Sequence, residues 1–456
     1  MQKSLPSNDK IYLVKLFKSR KFRLLAKIFL ITVIFGLGIF ADRIYPKISA
    51  SWKVKKNVSS FSKTPEKHVA FLGEIYDLIK QNYWDKISDE QLVNLYVLAT
   101  EKVTGKKQEI KTKDLKNLQQ LLLKNINEIK DKGKKKEFTT TLADIVLANL
   151  QPFGRSRLYS QKEEVDLKNR VKNINPEIDQ YQVLEVKKDA SAEEIKKAFE
   201  DKSSQLKTDT SDEGQQKLTQ VNKAYEMLSD EKNRAIYNES GAEPTMEYKL
   251  LTPQIFYLHI KQFSPTTIEE LVNVTQKVDK GETLDTLILD LRDNVGGAID
   301  GLPYFLGPFI GNDQYAYQFF HQDVKEDFKT KIGWLPTLVR FKKVVVLVNE
   351  NAQSSAEVMA AVLKKYNVGI LVGTATKGWG TVERVFTLNN QFDPNTKYSV
   401  FLVHSLTLRD DNQPIEGKGV EPNINIKNEG WENELTKRFN SPVLTQKIKE
   451  IVADKN

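Results

Sequence analysis

The chain contains no cysteine, which excludes disulfides and thiolate metal sites. Only four histidines are scattered along its 456 residues, so neither a metal centre nor a cofactor is expected. Internal repeats and low-complexity tracts are absent too, and nothing points to a repeat architecture. A net charge of +9 invites a nucleic-acid reading. Much of that charge comes from the N-terminal tail and from lysine-rich helix surfaces such as Lys102 to Lys136, without aromatic interleaving or a binding motif. It reads as a solvated face open to attraction by anionic headgroups, and no nucleic-acid partner is expected.

Long apolar runs are confined to one place. Residues 28–41, IFLITVIFGLGIFA, are unbroken apolar, and Leu24 to Ala26 extend the segment across Lys27. Lys10, Lys15, Lys18, Arg20, Lys21 and Arg23 precede it, and no small-x-small cleavage site follows. These features predict a retained signal anchor: a single transmembrane helix over 24–41, the N-terminus inside and the bulk of the chain on the far side of the cytoplasmic membrane. The basic flank Arg43, Lys47, Lys53, Lys55 and Lys56 weakens this argument without reversing it. The expected divisions are a basic tail (1–23), the anchor (24–41), a linker (42–64), a helical region (65–172), a second helical module (173–243), an α/β core (244–428) and a helical tail (429–456).

Chemistry concentrates in the core. Val344 to Val348 is a β-branched run short enough for a buried strand, and Val358, Met359, Val362 and Leu363 recur at helical spacing after it. Ser354 falls at the junction, where helix-start amides, including that of Ser355, face an incoming oxyanion. Taken alone, a serine there is most often a plain helix cap. Its context changes that reading. Upstream, LDTLILDLRDNVGG (284–297) ends a strand in Asp290, Arg292, Asn294 and the pair Gly296 and Gly297. Downstream come GTATKGWGTVE (373–383) and GKGVEPN (417–423).

In order and spacing these blocks, over about residues 246–428, resemble the C-terminal processing peptidases, or tail-specific proteases. The resemblance implies an α/β peptidase core (ClpP/crotonase-like), Ser354 as the nucleophile of a Ser-Lys dyad, followed by Glu357, and the glycine pair beside the oxyanion site. It implies polypeptide partners, unfolded or C-terminal segments. EIYDLIKQNYWDKISDEQLVNLYV (74–97) and LANLQPFGRSRLY (147–159) resemble the same family's preceding regions. One position departs sharply: Trp379 stands at the dyad lysine and Glu383 at a following glutamine. An indole cannot take a proton from a serine hydroxyl as a desolvated lysine can. Lys377, two residues away, would share a face with Trp379 in an extended segment, and His404 lies in the strand-like run Tyr398 to Leu408; either is an alternative base.

Residues 181–241 resemble a J-domain of the DnaJ type, from YQVLEVKKDASAEEIKKAF to VNKAYEMLSDEKNRAIYNESG. Ser191 and Glu194 form a capping box; Ile195, Ala198, Phe199 and Leu206 form an apolar stripe. The His-Pro-Asp tripeptide of that family reads Lys207, Thr208, Asp209 here. The module occupies the interval where tail-specific proteases carry a PDZ domain. The expectation is therefore a peptidase scaffold with lost or reduced catalysis that still binds extended chains, and a J-like module docking to a protein partner. An active serine endopeptidase with Lys377 as relocated base is the alternative, and a J-domain co-chaperone the weaker one.

Overall fold

A computed structural model of the chain describes residues 61, 64–278 and 283–453. The helical region opens with α1 (Lys67–Asn82), α2 (Asp89–Thr104), α3 (Leu115–Glu128) and α4 (Lys132–Ala148). Helix α2 starts on the Ser88/Gln91 capping box and stops at Gly105, whose φ of 66° suits a residue without Cβ. The four helices bury Phe71, Ile75, Ile79, Tyr96, Leu118, Leu122 and Leu142 in one core, which continues onto Val400 and Leu402 of a sheet below. Strand β1 (Arg157–Ser160) and α5 (Gln161–Val171) lead out of it.

The second module comprises α6 (Gln180–Leu184), α7 (Ala192–Leu206), α8 (Asp212–Ser229) and α9 (Glu231–Ser240). Ser191 and Glu194 do form the capping box of α7. Ile195 packs with Tyr181, Leu184, Val221, Ala224 and Leu228 in a core of the module's own. Its entry and exit are pinned together, because Ile174 and Ala242 form an antiparallel bridge and the Glu243 amide donates to Asn173 O at 2.9 Å. Buried Glu243 accepts from Gln180 Nε2 at 2.8 Å and pairs with Lys223 at 2.5 Å. The module is also tied to the core: Lys232 Nζ donates to Asn273 Oδ1 at 2.6 Å, and Lys277 pairs with Asp230.

The core is built on a six-stranded sheet in the order β11-β8-β7-β4-β3-β2. Strands β2 (Met246–Thr252) and β3 (Ile255–Ile260) are antiparallel; β3, β4 (Thr286–Asp290), β7 (Lys343–Val348), β8 (Ile370–Gly373) and β11 (Ile424–Asn425) run parallel. A parallel sheet covered on both faces needs continuous apolar runs, and TLILD and KVVVLV supply them. Leu287, Leu289, Val344 and Val346 face α10 (Thr267–Val278), α11 (Leu302–Ile310) and, beyond the short α12 (Pro336–Val339), α13 (Ser355–Lys365). The alternate residues Ile288, Val345 and Leu347 face α14 (Trp431–Phe439) and α15 (Pro442–Ala453) through Leu435, Leu444 and Ile448. A second sheet holds β1, β5 (Tyr315–His321), β6 (Val324–Lys329), β9 (Thr381–Thr387) and β10 (Tyr398–Leu408). Because β4 and β7 are neighbouring parallel strands, the loops after Asp290 and Val348 leave the same edge side by side, where open α/β sheets place their ligands.

One expectation is corrected. Sequence predicts a transmembrane helix over 24–41, but no helix among the described residues is long and apolar enough to cross a membrane. Residues 24–41 themselves, with the tail and most of the linker, lie outside the described residues. On that finding the single-pass, membrane-anchored, extracytoplasmic placement is withdrawn.

Candidate active site

Ser354 is not an ordinary cap. The caps Ser88, Ser160 and Ser191 have extended backbones with φ near −70°, and each hydroxyl accepts the third helical amide. Ser354 instead has φ 56° and ψ −120°. That conformation costs a non-glycine residue about 1–3 kcal/mol, so the surrounding contacts must hold it. Glu357, fully buried in the first turn of α13, does so. Its Oε2 accepts the Ser354 amide at 2.9 Å and the Trp379 amide at 2.7 Å; its Oε1 accepts Thr376 Oγ1 at 2.6 Å and the Gly378 amide at 2.7 Å. Burial pushes this carboxyl up, and the four donors pull against that shift. Thr376 Oγ1 in turn accepts the Val420 amide at 2.8 Å, bringing in the fourth sequence block.

The first block forms the facing wall. Asn294 donates to Ile260 O at 2.7 Å, accepts the Gly296 amide at 2.8 Å, and its carbonyl accepts the Gln353 amide at 3.0 Å. Gly296 lies so close that a Cβ on it would sit 2.7 Å from Ser354 Cβ, and one on Gly297 would sit 2.0 Å from Phe263 O. Phe263 brackets the pair, donating to Gly296 O and accepting from the Ala298 amide, both at 2.8 Å. Gly297 O is left to accept Ser355 Oγ at 3.2 Å. The amides of Ser354 and Gly296 are therefore committed elsewhere. Among the described residues, those of Gly297 and Ser355 have no hydrogen-bond acceptor. Behind this wall, Arg292 grips buried Asp290 through Nη2 at 2.8 Å and reaches Ile451 O at 3.0 Å, fixing the strand end to α15.

Trp379, expected at the dyad-lysine position, sits among charged side chains. The Arg155 guanidinium carbon lies 3.4 Å from the Trp379 ring centroid, and the indole N–H donates to Glu383 Oε1 at 3.3 Å. Glu383 also accepts Thr381 Oγ1 at 2.5 Å; burial pushes its carboxyl up. Arg155 pairs with Glu416 at 3.0 Å, whose other oxygen accepts the Gly380 amide at 2.8 Å. Sequence reasoning missed Arg155 and Glu416. Both lie in or beside quoted blocks, but nothing in their spacing announces that they meet.

Neither alternative base is bonded to the serine. Residues 374–380 are not a strand, so the shared face expected for Lys377 and Trp379 does not arise. Exposed Lys377 donates instead to Gln353 Oε1 at 2.6 Å. His404 is buried and stacked on His321 at 4.2 Å, with Nδ1 2.8 Å from Ser405 Oγ. Burial, with His321 and Arg384 nearby, pushes its imidazole down to about 3. In the helical module, Lys207 caps α7, Thr208 Oγ1 donates to Gln205 O at 3.2 Å, and Asp209 accepts the Ser211 amide and hydroxyl at 3.0 and 2.6 Å, folding the loop on itself.

Residues 254–426 match the model of peptidase family S41, and residues 179–238 that of the DnaJ domain. A probable CtpA-like serine protease of Staphylococcus epidermidis is 29% identical over 198 residues, 43% of this chain and 38% of that protein. The carboxy-terminal processing protease CtpB of Bacillus subtilis is 27% identical over 183 residues, 40% of this chain and 36% of that protein. The chain thus spans well under half the length of these curated relatives. A solved photosystem II D1 C-terminal processing protease aligns with TM-score 0.44 and 14% identity, covering 80% of this chain and 94% of that one.

Proposed function

We propose that this chain, a C-terminal processing peptidase of family S41 that also carries a DnaJ domain, binds extended polypeptide in the cleft around Ser354 and hydrolyses it slowly or not at all. Hydrolysis by such a site needs three things: a presented nucleophile, donors for the oxyanion, and a base for the nucleophile's proton. The first two have counterparts here. Ser354 is held in a strained turn at the start of α13, and the amides of Gly297 and Ser355 are the donors left to receive a carbonyl oxygen.

The third does not. The observation that carries this reading is the Trp379 indole at the lysine position, clamped between Arg155 and Glu383. Arginine stays protonated and indole has no basic lone pair, so neither accepts the serine proton. Glu357 is a hub for four donors, and Lys377 is turned to Gln353. Losing the base removes several orders of magnitude in rate while leaving carbonyl binding. The DnaJ module, with its tripeptide replaced and its body tied to the core through Lys232 and Asp230, serves as a fixed docking element rather than an ATPase activator.

The test compares the full chain with Ser354→Ala on a denatured protein substrate, alongside peptide binding by fluorescence anisotropy. Binding in both with negligible cleavage in either is expected. Rapid cleavage by the unaltered chain that vanishes in both Ser354→Ala and Lys377→Ala would replace this reading with a relocated dyad.

A further inference from the structure

Lys377 has no part in proton transfer in the reading above, yet it is fixed at the same cleft. Its amide donates to Ala352 O at 3.0 Å and its Nζ to Gln353 Oε1 at 2.6 Å. Gln353 Nε2 meets Val295 O at 3.3 Å. One glutamine side chain, on the residue directly before Ser354, therefore spans from the Gly296–Gly297 loop to the loop that carries Trp379. The ammonium stands 5.3 Å from the Trp379 ring centroid.

The charges around it are unevenly matched. Glu357 is engaged by four donors, Glu383 by Trp379 and Thr381, and Glu416 by Arg155 and Gly380. Lys377 meets a neutral amide oxygen and the Trp379 ring, and it forms no ion pair among the described residues. An ammonium has three donors; Gln353, the residue before Ser354, takes one, and the exposed side chain leaves the others for a ligand.

We infer that Lys377 is a carboxylate anchor: a polypeptide lying in the Ser354 cleft sets a carboxylate on this ammonium, either its own terminal group or an aspartate or glutamate side chain. The inference rests on the reading of the cleft as a polypeptide site. The position two residues from the family's base then serves substrate selection instead of proton transfer. Trp379 supplies an apolar wall for the aliphatic part of the anchored residue, and Gln353 keeps the ammonium from drifting with its flexible stem.

The test uses the full chain and fluorescein-labelled peptides of one apolar sequence ending in a free carboxylate, in a carboxamide, or in a carboxamide preceded by glutamate. Both carboxylate-bearing peptides should bind about threefold to fivefold more tightly than the plain amide at low salt, with the preference shrinking as salt rises. Lys377→Gln should erase the preference and Lys377→Arg should keep it. A gain confined to one carboxylate peptide would support the anchor and identify its source. Equal binding of all three peptides, or a preference that survives in Lys377→Gln, would overturn the anchor while leaving the cleft as a polypeptide site. Absence of binding by any peptide would overturn both.

Discussion

The carboxylate of Glu357 receives the amide of Ser354 and the amide of Trp379 on a single oxygen, at 2.9 and 2.7 Å. Ser354 and Trp379, expected at the nucleophile and dyad-lysine positions, are thus held to one atom.

Glu357→Ala should therefore cost more than a typical buried substitution. It would orphan three backbone amides and a threonine hydroxyl in the interior and release the strained Ser354 backbone. A loss of about 3–5 kcal/mol is expected, read as a lowered urea midpoint, with peptide binding weakened in parallel. A variant within about 0.5 kcal/mol of the parent would show that the hub is dispensable.

His404 gives a pH dependence with a defined sign. His404 is pushed down from its ordinary 6.5 to about 3, chiefly by burial. The unfolded chain then binds this proton and the folded chain does not, so stability is fully present above about 6.5 and is lost as pH falls toward 3. The slope approaches 1.4 kcal/mol per pH unit for one proton, from ~2.303RT. Glu357 and Glu383, whose carboxyls are pushed up, act in the opposite sense. The informative quantity is accordingly the difference between parent and His404→Gln: the variant's urea midpoint should fall less steeply below pH 6.5.

Much of this arrangement is legible in the chain itself. Periodicity places β7 and α13 on either side of Ser354, because a buried parallel strand needs an uninterrupted apolar run and the following helix needs a stripe. The glycine pair is legible because a backbone this close to Ser354 and Phe263 admits no Cβ. The Arg155 to Glu416 pair is not, since it joins residues 261 positions apart whose meeting depends on how the helical region packs on the core. Lys377 misleads for another reason: period-two alternation puts it beside Trp379, but the segment is a loop and the lysine turns toward Gln353. The span expected over 24–41 rests on the apolar run and its basic flank; it lies outside the described residues, among which no helix is long and apolar enough to cross a membrane.

The helical module should leave a heat-shock ATPase at its basal rate. Lys207 and Thr208 replace the histidine and proline, and the Asp209 carboxylate is held by Ser211 within its own loop. Mixing the full chain with the chaperone of the same cell and measuring ATP turnover provides the check. A rise that disappears in Asp209→Asn would show that the loop still acts on the enzyme.

Trp379 and Glu383 both depart from the residues the family resemblance leads one to expect, and their effects are separable. Trp379→Lys alone should restore little activity, because the new ammonium would meet Glu383, whose oxygen now accepts the indole N–H at 3.3 Å. A carboxylate partner holds a lysine protonated, and each pKa unit of that effect reduces the free-amine base about tenfold. Adding Glu383→Gln, which restores the residue type the family resemblance expects there, removes that charge. The double variant should exceed the single one by about tenfold or more on a denatured substrate, and Ser354→Ala should abolish the gain. Arg155, stacked where the indole now lies, bounds the recovery: its fixed positive charge helps to lower the lysine's pKa, but its bulk fills space the amine needs. Equal activity in the single and double variants would show that Glu383 does not control the base, and silence in both would place the defect in the pocket shaped by Arg155 rather than in the missing amine.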